Sequence, residues 1–485
     1  MKATLIFPGV TLGGWGNFGK VGSSEANFVQ YGLAYISAHA KKEGHDLDLI
    51  DLRKLHGWEE FESEIAKRSP GIFGISSMSV DFGVVLDAIK RIKVISKDSI
   101  VILGGVHATV ATEEVGKIDQ IDYIITGEGE VSFSQLLSKI EEGSSEQRII
   151  KGISPDINSL PYPDRDIFDY ENGELLHPWL PHMETPFVSI ITSRGCPFRC
   201  TFCQPAERMV FGGKAKNRML ANVIEELKFL RQRYKFKSLL IHDDLFTFNR
   251  KWILDFCMMY REEGFTQPFT CQARVDFIVK NEEVVKKMVE SGLSCFMIGF
   301  ESGSQRILDF LKKGTTVEQN RQAAEICKKY NIKIFANYMF GIPTETFDEV
   351  RETVKFIRHI KPYHPSPSYL TPYPGTELYN YCVENNLILK GSYEYYDRSP
   401  RRKGKLEGID YNFLKAAVMI SMDYERGHLL STESNESWLI KIFHKSISII
   451  KAELNGKSPL RAISEIIAAL GRYLLTRWYY IRYDI

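Results

Sequence analysis

At 485 residues the chain exceeds one domain by the usual prior of about 150 residues per domain, and 44% hydrophobic residues are enough for sizeable cores. Basic and acidic residues balance at 62 against 61, a net charge of +1, so no global field draws the chain onto nucleic acid or a charged membrane. No apolar run reaches the roughly 18 residues of a spanning helix, and the opening MKATLIFPGV reads as a buried strand rather than a signal peptide.

Residues 1–150 alternate two patterns. Short apolar runs at 3–8, 47–52, 71–78, 100–103 and 123–126 read as strands, and stretches such as 28–42, 58–68 and 82–95 carry helical spacing. Unbroken apolar strands between helices predict an α/β domain whose parallel sheet is covered on both faces. Five strands suit a Rossmann-like, flavodoxin-like order with a ligand crevice beyond the C-terminal strand ends. Glycines and hydroxyls gather at those ends: Gly13-Gly14-Trp15-Gly16, Ser76-Ser77-Met78-Ser79, Gly104-Gly105-Val106-His107 and Gly127-Glu128-Gly129-Glu130. Gly14, Gly16 and Gly19 match a dinucleotide fingerprint, but no helix opens directly after them as that fingerprint requires.

Residues 151–185 hold Pro155, Pro161, Pro163, Pro178 and Pro181 with little periodicity, and read as a linker. From 186 to 386 the alternation resumes, with strand candidates at 187–192, 238–242, 269–274, 296–300, 332–340 and 366–371. Amphipathic stretches at 223–234, 282–291, 317–330 and 347–360 lie between them. Barrels of such units place their chemistry at the C-terminal strand ends. Residues 387–485 form a mostly helical region after a basic break at 398–405, with helical patterns at 414–424 and 440–454. From Trp438 onward eight Lys/Arg face three Asp/Glu; such a tail suits the solvated face of a packing helix or a membrane surface.

The densest chemistry is Arg194-Gly195-Cys196-Pro197-Phe198-Arg199-Cys200-Thr201-Phe202-Cys203. Three cysteines within eight residues can converge on one metal centre, and iron–sulfur clusters are held by such thiolates. Structural zinc wants four closed positions, and no second Cys or Cys/His pair lies nearby. The other cysteines, Cys257, Cys271, Cys295, Cys327 and Cys382, are scattered singly, as expected for reduced thiols of a cytoplasmic protein.

The C-x3-C-x-aromatic-C spacing resembles the radical S-adenosylmethionine (SAM) superfamily, whose 4Fe–4S cluster keeps one iron open for SAM. "LGGVHATV", "IDYIITGEGEVSFSQLL" and "LPYPDRDIFD" resemble the cobalamin-binding domain and interdomain segment of its B12-dependent members. The resemblance implies three cofactors (a 4Fe–4S cluster on Cys196, Cys200 and Cys203, SAM, and cobalamin) and a (β/α)6 partial TIM-type barrel behind the Rossmann-like domain. No D-x-H-x-x-G is present, which implies a corrinoid without a protein histidine on cobalt, with His107 touching the ring. Cobalamin-binding candidates are Gly14, Trp15, Gly16, Ser76, Ser77, Ser79, Gly104, Gly105, His107, Gly127 and Glu128.

"IGFESGSQRILDFLKKGTT" resembles the superfamily's SAM segment: Glu301 and Ser302 end a strand, Glu301 suits ribose hydroxyls, and Lys312 or Lys313 suits the methionyl carboxylate. Arg274 and Tyr338 complete the SAM candidates, with Gly341 and Pro343 beside Tyr338. Asp243 and Asp244 should point opposite ways along their strand, so that at most one faces the cavity, or one should brace an arginine. Tyr369 and Tyr373 are candidates for the substrate cavity.

The family implies a methyltransferase that moves a methyl group from methylcobalamin to an unactivated carbon, after hydrogen abstraction by a 5′-deoxyadenosyl radical. Cyclases or rearrangement and oxidation enzymes of the magnesium-protoporphyrin ester cyclase type are the alternative, and a non-catalytic cobalamin or iron–sulfur sensor is a third reading. Methylthiotransferases carry further cluster cysteines before the radical motif, whereas none precedes Cys196. The expected partners are a small-molecule substrate, hydrophobic or lipid-like by the aromatic tail, and a reductant such as flavodoxin or ferredoxin. Peripheral membrane contact through the tail is compatible with this; nucleic acid is not.

Overall fold

The computed structural model describes residues 1–12, 18–20, 29–144, 146–171, 180, 182–203, 205–389, 393–396, 406–422 and 482. The loop residues Gly14, Trp15 and Gly16 and the helical pattern at 440–454 lie outside the described residues, as does the rest of the tail from Trp438 apart from residue 482.

The first sheet contains β1 (Lys2–Phe7), β2 (Asp46–Asp51), β3 (Ile72–Ser76), β4 (Ile100–Gly104), β5 (Tyr123–Thr126) and β6 (Ile149–Lys151). They are parallel in the order β2-β1-β3-β4-β5-β6, the flavodoxin-like order with one strand added at the edge. That sixth strand was not expected, because three half-exposed residues carry no periodicity of their own. Close packing across the sheet has a sequence cause at Gly74, where a Cβ would lie 2.8 Å from the Phe133 ring of the covering helix.

The second sheet holds β7 (Phe187–Ile190), β8 (Ser238–Ile241), β9 (Phe269–Ala273), β10 (Leu293–Glu301), β11 (Lys333–Phe340) and β12 (His364–Tyr369). Spatial order follows chain order and every pair is parallel, so β7 and β12 remain edges of an open, six-stranded partial barrel. Alternation along β11 sends Ile334, Ala336, Tyr338 and Phe340 outward to the helical layer. Phe335 joins Phe187, Leu240 and Cys295 inside, where Leu180 and Met183 of the linker cover the N-terminal strand ends. Two covering helices, Val317–Lys329 and Phe347–Ile360, begin with reciprocal capping boxes, Thr316 with Gln319 and Thr346 with Glu349. Helix Tyr411–Ser421 packs on Phe347–Ile360.

The two sheets share one hydrophobic cluster running from Ala3 and Leu5 to Ile420. Polar contacts fix the seam. Helix Tyr31–Lys42 sets the Tyr31 hydroxyl 2.9 Å from the Ser189 hydroxyl on β7 and the Ser37 hydroxyl 2.6 Å from Asp164. Beneath it, Glu226 is fully buried between Arg165 at 2.9 Å and Arg218 at 2.6 Å. Burial pulls the Arg165 guanidinium down, but Tyr31 and Glu226 outweigh it, and its pKa rises.

Removing one member of a buried ionic group leaves uncompensated charge, at a cost of about 3–5 kcal/mol. Glu226→Ala strands two guanidiniums, so it is expected to lower the denaturation midpoint sharply, as read by circular dichroism on urea titration. An unchanged midpoint contradicts the seam's role in stability.

Candidate functional site

The cysteine loop follows β7 at its C-terminal end and is held from three sides. Gly195 has φ +87°, and a Cβ there would sit 2.3 Å from the Lys214 carbonyl, so only glycine fits between Arg194 and Cys196. Asp243 accepts from the amides of Thr192 and Ser193 at 2.6 and 3.2 Å and from both their hydroxyls at 2.6 and 2.7 Å. Burial pushes the Asp243 carboxyl up to about 6 against these bonds. Asp244 accepts from the Gly195 amide at 3.3 Å. Both carboxylates therefore serve the same loop, contrary to expectation: β8 ends at Ile241, and strand alternation does not govern residues beyond it. Among the described residues neither carboxylate is braced by an arginine; Arg274 pairs with Asp276 instead, at 3.0 Å.

The third side is the first domain. Arg194 donates to Glu128 at 2.6 Å and to Glu130 at 2.7 Å, with its guanidinium 5.0 Å from the Tyr35 ring centre. Glu128, expected beside the corrinoid, thus has its carboxylate on Arg194. Past Cys203 the helix Pro205–Phe211 approaches the same domain. A Cβ on Gly127 would lie 3.8 Å from Val210, and the helix packs against Val106–Val110.

Further chain segments grip the loop from above. The Thr201 amide donates to the Leu311 carbonyl and its carbonyl accepts from the Leu378 amide, each at 3.0 Å. Arg274 lies 3.5 Å above the Phe198 ring and donates to the Lys313 carbonyl at 2.8 Å. Lys313 pairs with Glu301 at 2.8 Å, both 9% exposed. Burial pulls the Lys313 ammonium down, but the Glu301 carboxylate and then Cys200 raise it further, so it stays charged. Three SAM candidates, Arg274, Glu301 and Lys313, are therefore assembled beside the cysteines.

Local backbone geometry explains the pair. Register jumps from Gly299–Asn337 to Glu301–Tyr338, a bulge that turns the Glu301 side chain. Glu301 itself sits at φ +64°, in the left-handed region. Gly299 leaves the space: a Cβ there would meet the Glu301 Oε1 at 2.2 Å and the Lys313 Nζ at 2.9 Å.

The remaining barrel candidates lie elsewhere. The Ser302 hydroxyl is 3.1 Å from Thr353 and accepts from the Ser304 amide, which makes it a turn anchor. Tyr338 faces the helical layer, its hydroxyl 2.7 Å from Ser421. Tyr369, beside Phe340 in register, faces the same way and packs edge-on against Tyr411 at 5.2 Å. Strand alternation thus keeps both tyrosines out of the barrel interior. Tyr373 lies beyond β12 and donates to the Tyr396 carbonyl at 3.1 Å. Behind the Gly341 turn (φ +78°), the Glu345 carboxylate accepts from the Gly341 amide at 2.8 Å, and burial pushes it up to about 8.

None of the eight cysteines is disulfide-bonded. Burial first, then Cys200 and Asp244, push the Cys196 thiol up, and metal binding demands the thiolate. Among the described residues no three His, Cys, Asp or Glu side chains already converge on a metal position, so the loop's fitness for a cluster rests on its donor set: three thiols on one short, glycine-turned loop.

In the first domain the edge formed by β3 and β4 brings its candidates together. The Ser77 amide donates to the Gly104 carbonyl at 3.0 Å. Gly105, at φ +93°, would place a Cβ 2.7 Å from Ser77 and 3.0 Å from the Ser76 hydroxyl. His107 is fully buried, its Nδ1 3.0 Å from the Ser79 hydroxyl, its ring 4.0 Å from Phe82. Burial, against the pull of Glu114, takes its pKa down to about 4. The 3.9 Å approach of Glu114 to Nε2 therefore joins a carboxylate to a neutral ring, not an ion pair. Nε2 has no hydrogen-bond partner among the described residues. Gly127, at φ +81°, donates to the Thr109 hydroxyl at 2.9 Å. A glycine-lined cradle with an orphaned buried nitrogen fits a large ligand rich in hydrogen-bonding groups.

Sequence reasoning missed the Arg194 contacts, the doubled role of Asp243 and Asp244, and Tyr393. The last comes from the C-terminal region, bonds Glu114 and lies edge-on to Phe82 and His107 at 5.0 and 5.8 Å. Only the pairing of carboxylates and a lone arginine hinted at the first, and nothing in the sequence signalled the last.

Gly299→Ala is expected to displace the Glu301–Lys313 pair and weaken SAM binding roughly tenfold or more, the loss of about one charge-assisted hydrogen bond. Equilibrium dialysis checks it, with iron content unchanged. Asp81 yields a pH test. It accepts from the Met78 amide at 2.8 Å, and burial pushes its carboxyl from 3.8 up to about 8. The unfolded chain ionises first as pH rises, so this group's contribution to stability falls between about 3.8 and 8. Asp81→Asn should flatten that decline in a thermal-melt series.

Two family models match the chain in order: the B12 binding domain over residues 20–137 and the radical SAM superfamily over residues 190–357. A protein of Pyrococcus horikoshii named as an uncharacterized methyltransferase is 31% identical over 383 residues, covering 75% of this chain and 81% of that one. The anaerobic magnesium-protoporphyrin IX monomethyl ester cyclase of Rubrivivax gelatinosus is 24% identical over 397 residues, covering 78% and 69%. Among solved structures, the cobalamin-dependent S-adenosylmethionine radical enzyme OxsB, with aqua-cobalamin and S-adenosylmethionine bound, superimposes with a TM-score of 0.66 at 15% identity, covering 98% of this chain and 72% of that one. That likeness is one of fold.

Proposed function

The chain belongs to the family of radical SAM enzymes that carry a B12-binding domain, and from that premise we propose that it methylates an unactivated carbon of a small molecule. The observation that carries the reading is the meeting of two strand-end edges: the cysteine loop lies against the loops holding His107, Gly127 and Glu128, tied by Arg194 at 2.6 and 2.7 Å. Chemistry that uses two bound groups at once needs such an arrangement. Methyl transfer is favoured over ring closure because the relative named a methyltransferase is the more similar of the two, at 31% against 24% identity.

When bound, a cluster with SAM supplies a hydrogen-abstracting radical and cobalamin supplies a transferable methyl group. The protein's own part is positioning. Cys196, Cys200 and Cys203 would hold the cluster, while Glu301, Lys313 and Arg274 would hold SAM. A carboxylate and an ammonium already ordered on each other need little reorganisation to receive ligand groups of opposite sign. Ser76, Ser77, Gly104, Gly105, His107 and Gly127 would cradle the corrinoid. An electron donor such as flavodoxin or ferredoxin and a hydrophobic substrate complete the reading, in a cytoplasmic setting. Among the described residues no helix is long and apolar enough to cross a membrane.

Anaerobic protein reconstituted with iron, sulfide and hydroxocobalamin, then given SAM and a reductant, tests this without knowledge of the substrate. A methyltransferase must release S-adenosylhomocysteine as well as 5′-deoxyadenosine; deoxyadenosine alone points to the cyclase-like alternative, and neither product removes the enzyme reading. Alanine at Cys196, Cys200 and Cys203 is expected to abolish iron–sulfur absorption and deoxyadenosine formation, while hydroxocobalamin uptake at saturation persists.

A further inference from the structure

The cysteine loop is bracketed at both ends by the first domain. On entry, Arg194 immediately precedes Gly195 and Cys196, and its fork spans Glu128 and Glu130. The three side chains are 15%, 10% and 5% exposed, so little water screens the pair. A planar guanidinium bound to two carboxylates and lying over Tyr35 fixes direction as well as distance. On exit, the helix after Cys203 puts Val210 beside Gly127 and packs on the helix carrying His107. The two first-domain segments in contact are the two whose glycines and histidine form the ligand cradle.

From these contacts we infer that Arg194 is a positioning residue that couples corrinoid binding to cluster binding, so that each ligand tightens the other. The inference rests on the two-cofactor reading above. A ligand seated on His107 and Gly127 orders segments 106–110 and 127–130; through Glu128, Glu130 and Val210 the same ordering fixes both ends of the loop that carries the thiols. Whichever ligand binds first meets the entropy of ordering both segments, and the second meets less of it. The coupling acts on binding, and is reciprocal.

The test measures hydroxocobalamin affinity by equilibrium dialysis, on the full chain, before and after anaerobic reconstitution of the cluster. The cluster-loaded protein is expected to bind about tenfold more tightly, within the usual span of allosteric coupling. Arg194→Gln combined with Glu130→Gln should bring the ratio of the two affinities close to one. Arg194→Lys keeps the charge but loses the fork, and should lose most of the effect; it serves where the double variant does not accumulate. Equal affinities in the unaltered protein overturn the inference, as does a tenfold ratio that survives in either variant. Protein that takes up iron and sulfide yet refuses hydroxocobalamin at saturation, or the reverse, instead overturns the family reading on which it stands.

Discussion

One guanidinium between two carboxylates fixes how the halves of this molecule face each other. Parallel sheets gather all their C-terminal strand ends on one edge, but nothing in either sheet dictates how the two edges meet. Arg194, reaching from the barrel to Glu128 and Glu130, supplies that constraint at the loops where chemistry would occur. Deeper in the seam the arrangement is inverted and fully buried, with the Glu226 carboxylate between Arg165 and Arg218. Ionic groups in such places add little net stability over apolar ones, yet they are strict about geometry, since misalignment leaves a charge without water or partner. The hydrophobic cluster shared by both sheets holds the halves together; the arginines determine the angle.

Inside the barrel the same economy of charge prepares the site. Glu301 occupies a left-handed conformation that costs about 1–3 kcal/mol for a side-chain-bearing residue. The bulge at Phe300 and the pairing with Lys313 hold it there. Arg274 then ties the Lys313 carbonyl to the Phe198 ring, so the ion pair and the cysteine loop are joined through one side chain. Strain is tolerated because neighbouring contacts leave no alternative conformation, the situation in which preorganised sites arise.

Much of this was legible from residue order. Apolar runs separated by helical spacing announce both parallel sheets, and the rule that ligands lie beyond C-terminal strand ends points to Ser77, Gly105, His107 and the cysteine loop. What stayed hidden has physical causes. Glu128 and Arg194 are 66 positions apart, and each looked reasonable as a helix-end charge or loop residue on its own. Tyr338 and Tyr369 carry the right neighbours in sequence but the wrong parity: Phe335 and Met339 on the inner face of β11 are as large and apolar as Ile334 and Phe340 on the outer, so alternation gives little hint which face looks inward. Asp243 and Asp244 escape strand alternation because β8 ends at Ile241, two residues before the first of them.

The least legible region contributes one more wall. Segment 393–396 sets Tyr396 against Tyr373 of the barrel, with rings at 6.1 Å, and Tyr393 against Phe82 and His107 of the first domain. It thus reaches from one strand-end edge to the other, and bonds Glu114 as it does so. A ring lying edge-on to His107 keeps that imidazole dry, consistent with burial outweighing the nearby carboxylate in its pKa. Here an aromatic segment contributed by neither sheet spans the two edges, which is why a reading confined to the two sheets gives no sign of it.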